Sequence, residues 1–173
     1  MTLSDVNALD RDGFVGALGG IFEHSPWIAG RAFAARPFAD TAALHAAMVA
    51  VMRSAARDER LALIREHPEL AGRAMVRNEL TADSTREQGS AGLASCSPEE
   101  HARLVDLNAR YNAKFGFPFI LAVKGYDRAG VIAEFARRVE RDAASEFDEA
   151  LAQIARITRH RIEVLLGSRG RPT

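Results

Sequence analysis

Apolar residues recur at a helical period along almost the whole chain, and one long apolar stretch departs from it. That stretch is Phe115-Gly116-Phe117-Pro118-Phe119-Ile120-Leu121-Ala122-Val123. It is apolar and aromatic but broken by glycine and proline, so it reads as a short buried loop or extended segment. By periodicity alone it can also be a strand. With at most one candidate strand, the chain is expected to be all-α, a compact multi-helix fold with a short irregular apolar segment near 115–124. Its 173 residues, 47% of them hydrophobic, suffice for an ordinary core without disulfide or metal staples. The sequence has no Ser/Gly/Pro-rich linker, internal repeat or low-complexity tract, so residues 1–173 are expected to form one domain.

Helix starts and stops can be placed from local chemistry. Asp40 is placed to cap a helix carrying Leu44, Met48, Val51 and Met52 on one face. A second helix, from about Asp58, carries Leu61, Leu63 and Ile64 and stops before Pro68. Ser97-Pro98-Glu99-Glu100 combines a capping serine, a proline at the first helical position and a glutamate that completes a capping box. The helix that follows lines up Leu104, Leu107 and Tyr111. Lys124-Gly125-Tyr126-Asp127 reads as a turn, with Asp127 capping a helix that bears Val131, Ile132 and Phe135. A last helix, from near Ala143, turns Phe147, Leu151, Ile154, Ile157 and Leu165 inward.

Composition narrows the function classes. Basic and acidic side chains balance at 23 each, without the basic excess of a dedicated nucleic-acid binder. Lys114 and Lys124 are the only lysines; every other basic residue is arginine. The single cysteine, Cys96, can build neither an intrachain disulfide nor a Cys-rich zinc site. The first residues lack the pattern of a signal peptide, no apolar run is long enough to span a membrane, and residues 168–173 carry no peroxisomal tripeptide. Together these features read as a cytoplasmic protein. The five histidines show no metal-binding spacing, and no phosphate loop or nucleophile elbow is present.

Three stretches are denser in polar groups than a plain bundle requires. Phe22-Glu23-His24-Ser25-Pro26-Trp27 interrupts the helical period, and a helix-to-helix turn accounts for it without any function. His67, in Arg65-Glu66-His67-Pro68-Glu69-Leu70, sits at a helix end. There an imidazole can serve as a general acid or base, or simply complement the helix dipole. Ser84 and Glu87 have the spacing of a capping box, and Gln88 follows. If a helix starts there, Ser84, Glu87 and Gln88 lie close together in its first turn. Glycines 89 and 92 would permit close approach of a backbone or ligand. Cys96, just before a helix cap, reads as an incidental thiol.

Taken in order, six segments resemble one family, the 2-oxo-4-hydroxy-4-carboxy-5-ureidoimidazoline (OHCU) decarboxylases of urate breakdown. They are Phe22-Glu23-His24-Ser25-Pro26-Trp27; His67-Pro68-Glu69-Leu70-Ala71-Gly72; Ser84-x-x-Glu87-Gln88 with Ala91-Gly92-Leu93; Asn108-x-x-Tyr111; Phe115-Gly116-Phe117-Pro118-Phe119; and Arg161-Ile162. The resemblance implies an all-α fold, no metal, no organic cofactor and a homodimer. It also implies loss of CO2 from a small anionic substrate to give (S)-allantoin. His67 matches the catalytic histidine, and Glu87 is expected to act with it, orienting or tuning it or contacting the substrate. Pro68, Ser84, Gln88, the stretch Phe119, Ile120, Leu121, Ala122 and Val123, and Arg161 match substrate-contacting positions. Without the resemblance, Arg161 reads as a solvent-facing arginine beside Arg156 and Arg159. Ile162 stands where leucine is commoner in the family.

Two other readings remain open on sequence. One is an enzyme on the same scaffold acting on a related ureido or imidazoline acid. The other is a helical binding module without catalysis, in which the polar segments are only turns and caps.

Overall fold

A computed structural model describes residues 1–70 and 80–167, without the side chains of Ser90 and Ala94. Ala71 and Gly72 of the second matching segment, and residues 168–173, lie outside the described residues. The described residues form helices and connecting segments with no strand, so the protein is all-α. The chain packs as two compact units, Met1–Glu66 with Ala155–Thr173, and His67–Ile154.

The first unit contains α1 (Leu3–Ala8), α2 (Arg11–Leu18), α3 (Pro26–Ala32), α4 (Thr41–Ser54) and α5 (Arg57–Arg65), with a 3-10 turn at Phe33–Ala35. Asp40 caps α4 as its position predicts, accepting from the Ala43 N–H at 2.7 Å. Leu44, Met48 and Met52 are then buried in the core, while Val51 is only half-buried at the edge of the stripe. The loop after the 3-10 turn has no ladder to satisfy its backbone, and side chains do so instead. Asn7 Nδ2 donates to the Phe38 carbonyl and its Oδ1 accepts the Phe38 N–H, both at 2.9 Å. The Arg36 guanidinium lies 3.5 Å over the Phe33 ring and donates to the carbonyls of Asn7 and Leu9.

The second unit contains α6 (Ala82–Ser90), a 3-10 turn at Leu93–Ser95, α7 (Pro98–Phe115) and α8 (Arg128–Arg138). Helix α9 (Ala143–Gly167) runs from this unit into the first. Helix α7 begins as its sequence predicts. Ser97 Oγ accepts the Glu100 N–H, and the Glu100 carboxylate accepts the Ser97 N–H at 2.8 Å. Gly116 ends α7 in the left-handed region at φ 75°, where a side chain would be strained. Asp127 caps α8 through the Gly130 N–H at 2.8 Å.

Residues 116–123 are neither helix nor strand, and most of their side chains are buried. Aromatic packing holds them. Phe119 stacks on Phe135 with centroids 3.9 Å apart, and Tyr111 meets Phe115, Phe117, Phe119 and Phe135. Each such pair adds roughly 0.5–1.5 kcal/mol beyond burial. On α9, Phe147, Leu151, Ile154 and Ile157 turn inward as expected. Leu165 is only half-buried, and Ile162 takes the interior place three residues earlier.

His45, on α4, packs against the C-terminal half of α9. Its Nε2 lies 2.8 Å from the Ala155 carbonyl, which can only accept, so that nitrogen carries the proton. Burial lowers the pKa of His45 from its ordinary value, partly offset by that hydrogen bond. A lowered folded pKa gives stability that is full above the unfolded value, about 6.5, and lost as pH falls through the folded one. The unfolding midpoint is therefore expected to drop between about pH 7 and pH 5. His45→Gln, which keeps a donor for Ala155, should flatten that drop in urea titrations at the two pH values.

Candidate active site

The chain leaves α5 at Arg65, and Pro68 prevents the helix from continuing. His67 is buried at 6% exposure. The segment His67–Leu70 has irregular backbone, and three amide side chains hold it. Gln88 Nε2 donates to the Glu69 carbonyl at 3.3 Å. Asn108 Nδ2 donates to the Leu70 carbonyl at 3.0 Å, and Asn112 Nδ2 donates to Glu69 Oε1 at 2.5 Å. Asn108 and Asn112 are one turn apart on α7 and so share a face.

The expected capping box between Ser84 and Glu87 does not form. Thr81 is the N-cap, and its Oγ1 accepts the Ser84 N–H at 3.3 Å. The helix therefore starts at Ala82, and Ser84 is its third residue. Ser84 and Gln88, four residues apart, then lie on one buried face at 3% and 2% exposure, with Glu87 half-buried beside them. A threonine three residues before the serine, followed by helix-favouring Ala82, was the signal for this earlier start. Gly92 adopts φ 71° and faces the stem of Arg128, which makes it a backbone requirement of the turn into the 3-10 helix.

The stretch Phe119–Val123 is tied from two sides. Arg138 Nη1 donates to the Ile120 carbonyl at 2.7 Å, and Gln153 Oε1 accepts the Ala122 N–H at 2.9 Å. Arg138 is fully buried, with its guanidinium 4.5 Å over the Phe119 ring. Its charge is met by Glu146, also fully buried, whose Oε1 accepts from Arg138 Nε at 2.8 Å, from Arg138 Nη2 and from the Tyr111 hydroxyl at 2.5 Å. Burial, then the Glu146 carboxylate, push the Tyr111 pKa well above its ordinary value, so the hydroxyl stays a donor. Sequence reasoning missed Arg138, Glu146 and Gln153, because each acts through a partner distant in the chain.

Arg161 belongs to the first unit and is not a solvent-facing arginine. It is 5% exposed, whereas Arg156 and Arg159 are exposed. Its Nη1 pairs with Glu23 Oε2 at 2.5 Å and approaches the Ile21 carbonyl at 3.4 Å. The segment Phe22–Trp27 thus has a purpose beyond turning the chain. His24 takes φ 41°, the left-handed region that favours glycine, between buried Glu23 and Ser25. Pro26 opens α3, and Trp27 carries Arg31 over its ring at 4.6 Å.

Burial and the nearby Glu100 raise the pKa of Cys96, which argues against an activated thiolate. A cavity of about 390 Å³ in the first unit, bordered by Thr41, His45, Arg159 and Glu163, contains none of the residues matched above. Among the described residues, no group of three or more His, Cys, Asp or Glu side chains is arranged to hold a metal ion. No helix among them is long and apolar enough to cross a membrane.

The described residues define an all-helical protein with a buried histidine in a segment that amide side chains hold. The OHCU decarboxylase family model matches residues 7–163. The 2-oxo-4-hydroxy-4-carboxy-5-ureidoimidazoline decarboxylase of Haloferax volcanii is 41% identical over 94% of this chain and 94% of its own length. A human protein, named as a putative decarboxylase of the same type, is 40% identical over 96% of each. The uric acid degradation bifunctional protein of Bacillus subtilis is 38% identical over 98% of this chain, which spans 33% of that longer protein. A crystal structure of (S)-allantoin synthase superposes with TM-score 0.76 at 28% identity, over 96% of this chain and 54% of that one. A crystal structure of OHCU decarboxylase in the presence of (S)-allantoin shares the fold, with TM-score 0.69 at 20% identity over 90% of this chain and 98% of that one. This chain belongs to the OHCU decarboxylase family.

The Glu23–Arg161 pair gives a stability test. Removing one partner of a buried pair leaves an uncompensated charge, at a cost of about 3–5 kcal/mol. Glu23→Leu alone should lower stability by that order in urea unfolding. Glu23→Leu combined with Arg161→Met should recover most of the loss.

Proposed function

We propose that this chain decarboxylates 2-oxo-4-hydroxy-4-carboxy-5-ureidoimidazoline to (S)-allantoin, as a cofactor-independent carboxy-lyase of urate breakdown. Its membership of the family supports this, and so do its named relatives. The observation that carries the reading at the level of residues is buried His67 in a segment fixed by Gln88, Asn108 and Asn112. The family match over residues 7–163 supports taking 1–173 as one family domain. A homodimer and a cytoplasmic location belong to the same reading.

The chemistry asks little of the protein beyond placement. Cleavage of the bond to the carboxylate releases CO2 and leaves an electron pair on the ring carbon that bears the hydroxyl. The adjacent C=N bond accepts that pair, and its nitrogen takes up a proton from solvent, giving an enol-like intermediate. The hydroxyl then loses its proton as the carbonyl forms, and a proton is added to one face of the neighbouring carbon. Orientation, charge stabilisation and these proton transfers suffice for this sequence.

In this reading His67 handles the hydroxyl proton as general acid and base, since its ordinary pKa near 6.5 suits transfer in both directions. Glu87 orients or tunes His67, or accepts from the substrate. Ser84, Gln88 and Pro68 contact the ring and ureido groups. Backbone groups of Phe119, Ile120, Leu121, Ala122 and Val123 hold polar edges of the substrate. Arg161 meets an anionic or carbonyl oxygen. A grip on the departing carboxylate alone would stabilise the ground state as well, so the arginine serves best at an oxygen that gains charge during the reaction.

The test is a circular-dichroism time course of allantoin formation from freshly generated substrate. The wild-type chain should give a rapid (S)-allantoin signal, whereas spontaneous decay gives a racemate. His67→Ala should stay folded and lose at least about a hundredfold in turnover, the scale of general acid–base catalysis. A folded, fully active His67→Ala removes the catalytic role. Glu87→Gln keeps the shape of the side chain, and full turnover in that variant would show that its charge is not needed. A wild-type trace equal to spontaneous decay would favour a related ureido or imidazoline acid as substrate.

A further inference from the structure

We propose that Gln153 is a positioning residue of this enzyme, setting the Ala122 peptide, and with it the Phe119–Val123 stretch, for substrate binding. The proposal rests on the decarboxylase reading above. Gln153 is 2% exposed, and its two amide atoms have opposite duties. Nε2 donates to Glu149 Oε1 at 2.6 Å, and Oε1 accepts the Ala122 N–H at 2.9 Å.

The amide cannot reverse. The hydrogen bond from Gln153, with Arg138 and Arg141 nearby, holds the Glu149 carboxyl below its ordinary pKa. Glu149 is therefore ionised near neutral pH and can only accept. A flipped Gln153 would set its oxygen against that carboxylate and its NH2 against the Ala122 N–H. Arg141 Nη1, 3.5 Å from Glu149 Oε2, anchors the far end of the relay. The chain Arg141–Glu149–Gln153–Ala122 thus fixes one peptide of an irregular segment by charge ordering, with Glu149 and Gln153 one turn apart on α9.

Arg138 performs the matching task at the Ile120 carbonyl. Between the two ties lies Leu121, whose N–H and C=O make no hydrogen bond among the described residues. Fixing the groups on either side determines where that central peptide points. Gln153 therefore acts on binding through Ala122, and touches no reacting atom itself.

Three variants test this: Gln153→Leu, Gln153→Glu, and Gln153→Glu combined with Glu149→Gln. Gln153→Leu removes the acceptor with little change in volume. Gln153→Glu places two carboxylates one turn apart and disrupts the relay by repulsion. The double variant rebuilds it, because residue 153 still accepts the Ala122 N–H while the amide now at 149 donates to it and accepts from Arg141. One readout needs no substrate: amide exchange at Ala122 by NMR should quicken about tenfold in Gln153→Leu, the scale of one lost hydrogen bond, and return in the double variant. The other is the circular-dichroism assay. KM should rise about tenfold in Gln153→Leu with a smaller change in kcat, the pattern of lost binding common to ground and transition states.

In the double variant both readouts should return to within about threefold of wild type, while Gln153→Glu alone stays impaired. A folded Gln153→Leu with unchanged KM and kcat overturns the proposal. So does a double variant no better than Gln153→Glu, which decides the matter if Gln153→Leu does not fold. A wild-type chain that makes no (S)-allantoin overturns the decarboxylase reading and the substrate role of Gln153 with it. Ala122 exchange then still shows whether the tie exists, so the two failures are told apart.

Discussion

The carboxylate of Glu146, with no exposed surface, receives Arg138 and Tyr111 at one oxygen, and Arg138 continues to the Ile120 carbonyl. As a source of stability this arrangement is poor. Desolvating both charges costs about as much as their attraction returns, and an apolar replacement of equal volume often does as well. Its value is geometric. Residues 116–123 form neither helix nor sheet, so their peptide groups have no ladder to settle into. A guanidinium with fixed donor directions supplies the missing constraint at one carbonyl. The aromatic cluster around Tyr111 gives that segment its burial, and the ion cluster gives it a register.

Much of the frame could be read from local sequence, because caps and stripes are local physics. Ser97, Pro98 and Glu100 start α7, Asp40 starts α4 and Asp127 starts α8, each by a side chain three residues from the N–H it serves or is served by. Leu104, Leu107 and Tyr111 follow from spacing alone. The same logic misled at Ser84 and Glu87, where the spacing fits a box but Thr81, three residues earlier, caps the helix and accepts the Ser84 N–H. Two cap candidates in one stretch compete, and spacing does not say which wins.

What stayed hidden was long-range. Arg161 looks like its neighbours Arg156 and Arg159 until Glu23, 138 residues away, is seen beside it. Arg138 and Gln153 sit on amphipathic helices where arginine and glutamine are ordinary surface residues. Only their burial marks them out. A polar residue on the apolar stripe was the available signal. Gln153 lies between Leu151 and Ile154, and Arg138 follows Val131 and Phe135 at helical spacing. Reading such residues as anchors rather than as breaks in the stripe would have located both ties.

The direct anchors divide by charge in a way the chemistry explains. Gln88, Asn108 and Asn112 hold the segment of His67, and Gln153 holds Ala122; all four are neutral amides. The charges that steady Ala122, Glu149 and Arg141, stand one and two residues further back along the relay. Arg138 is the exception, and Glu146 neutralises it at contact. An amide can fix a backbone group by donating or accepting without adding a formal charge to its surroundings. A fixed charge close to an anionic substrate would bind the ground state or repel it, whichever its sign, before any bond broke. Under the proposed function, neutral anchors leave charge control to the candidate residues His67 and Glu87. Rigid placement and charge control are then separate tasks given to separate residues.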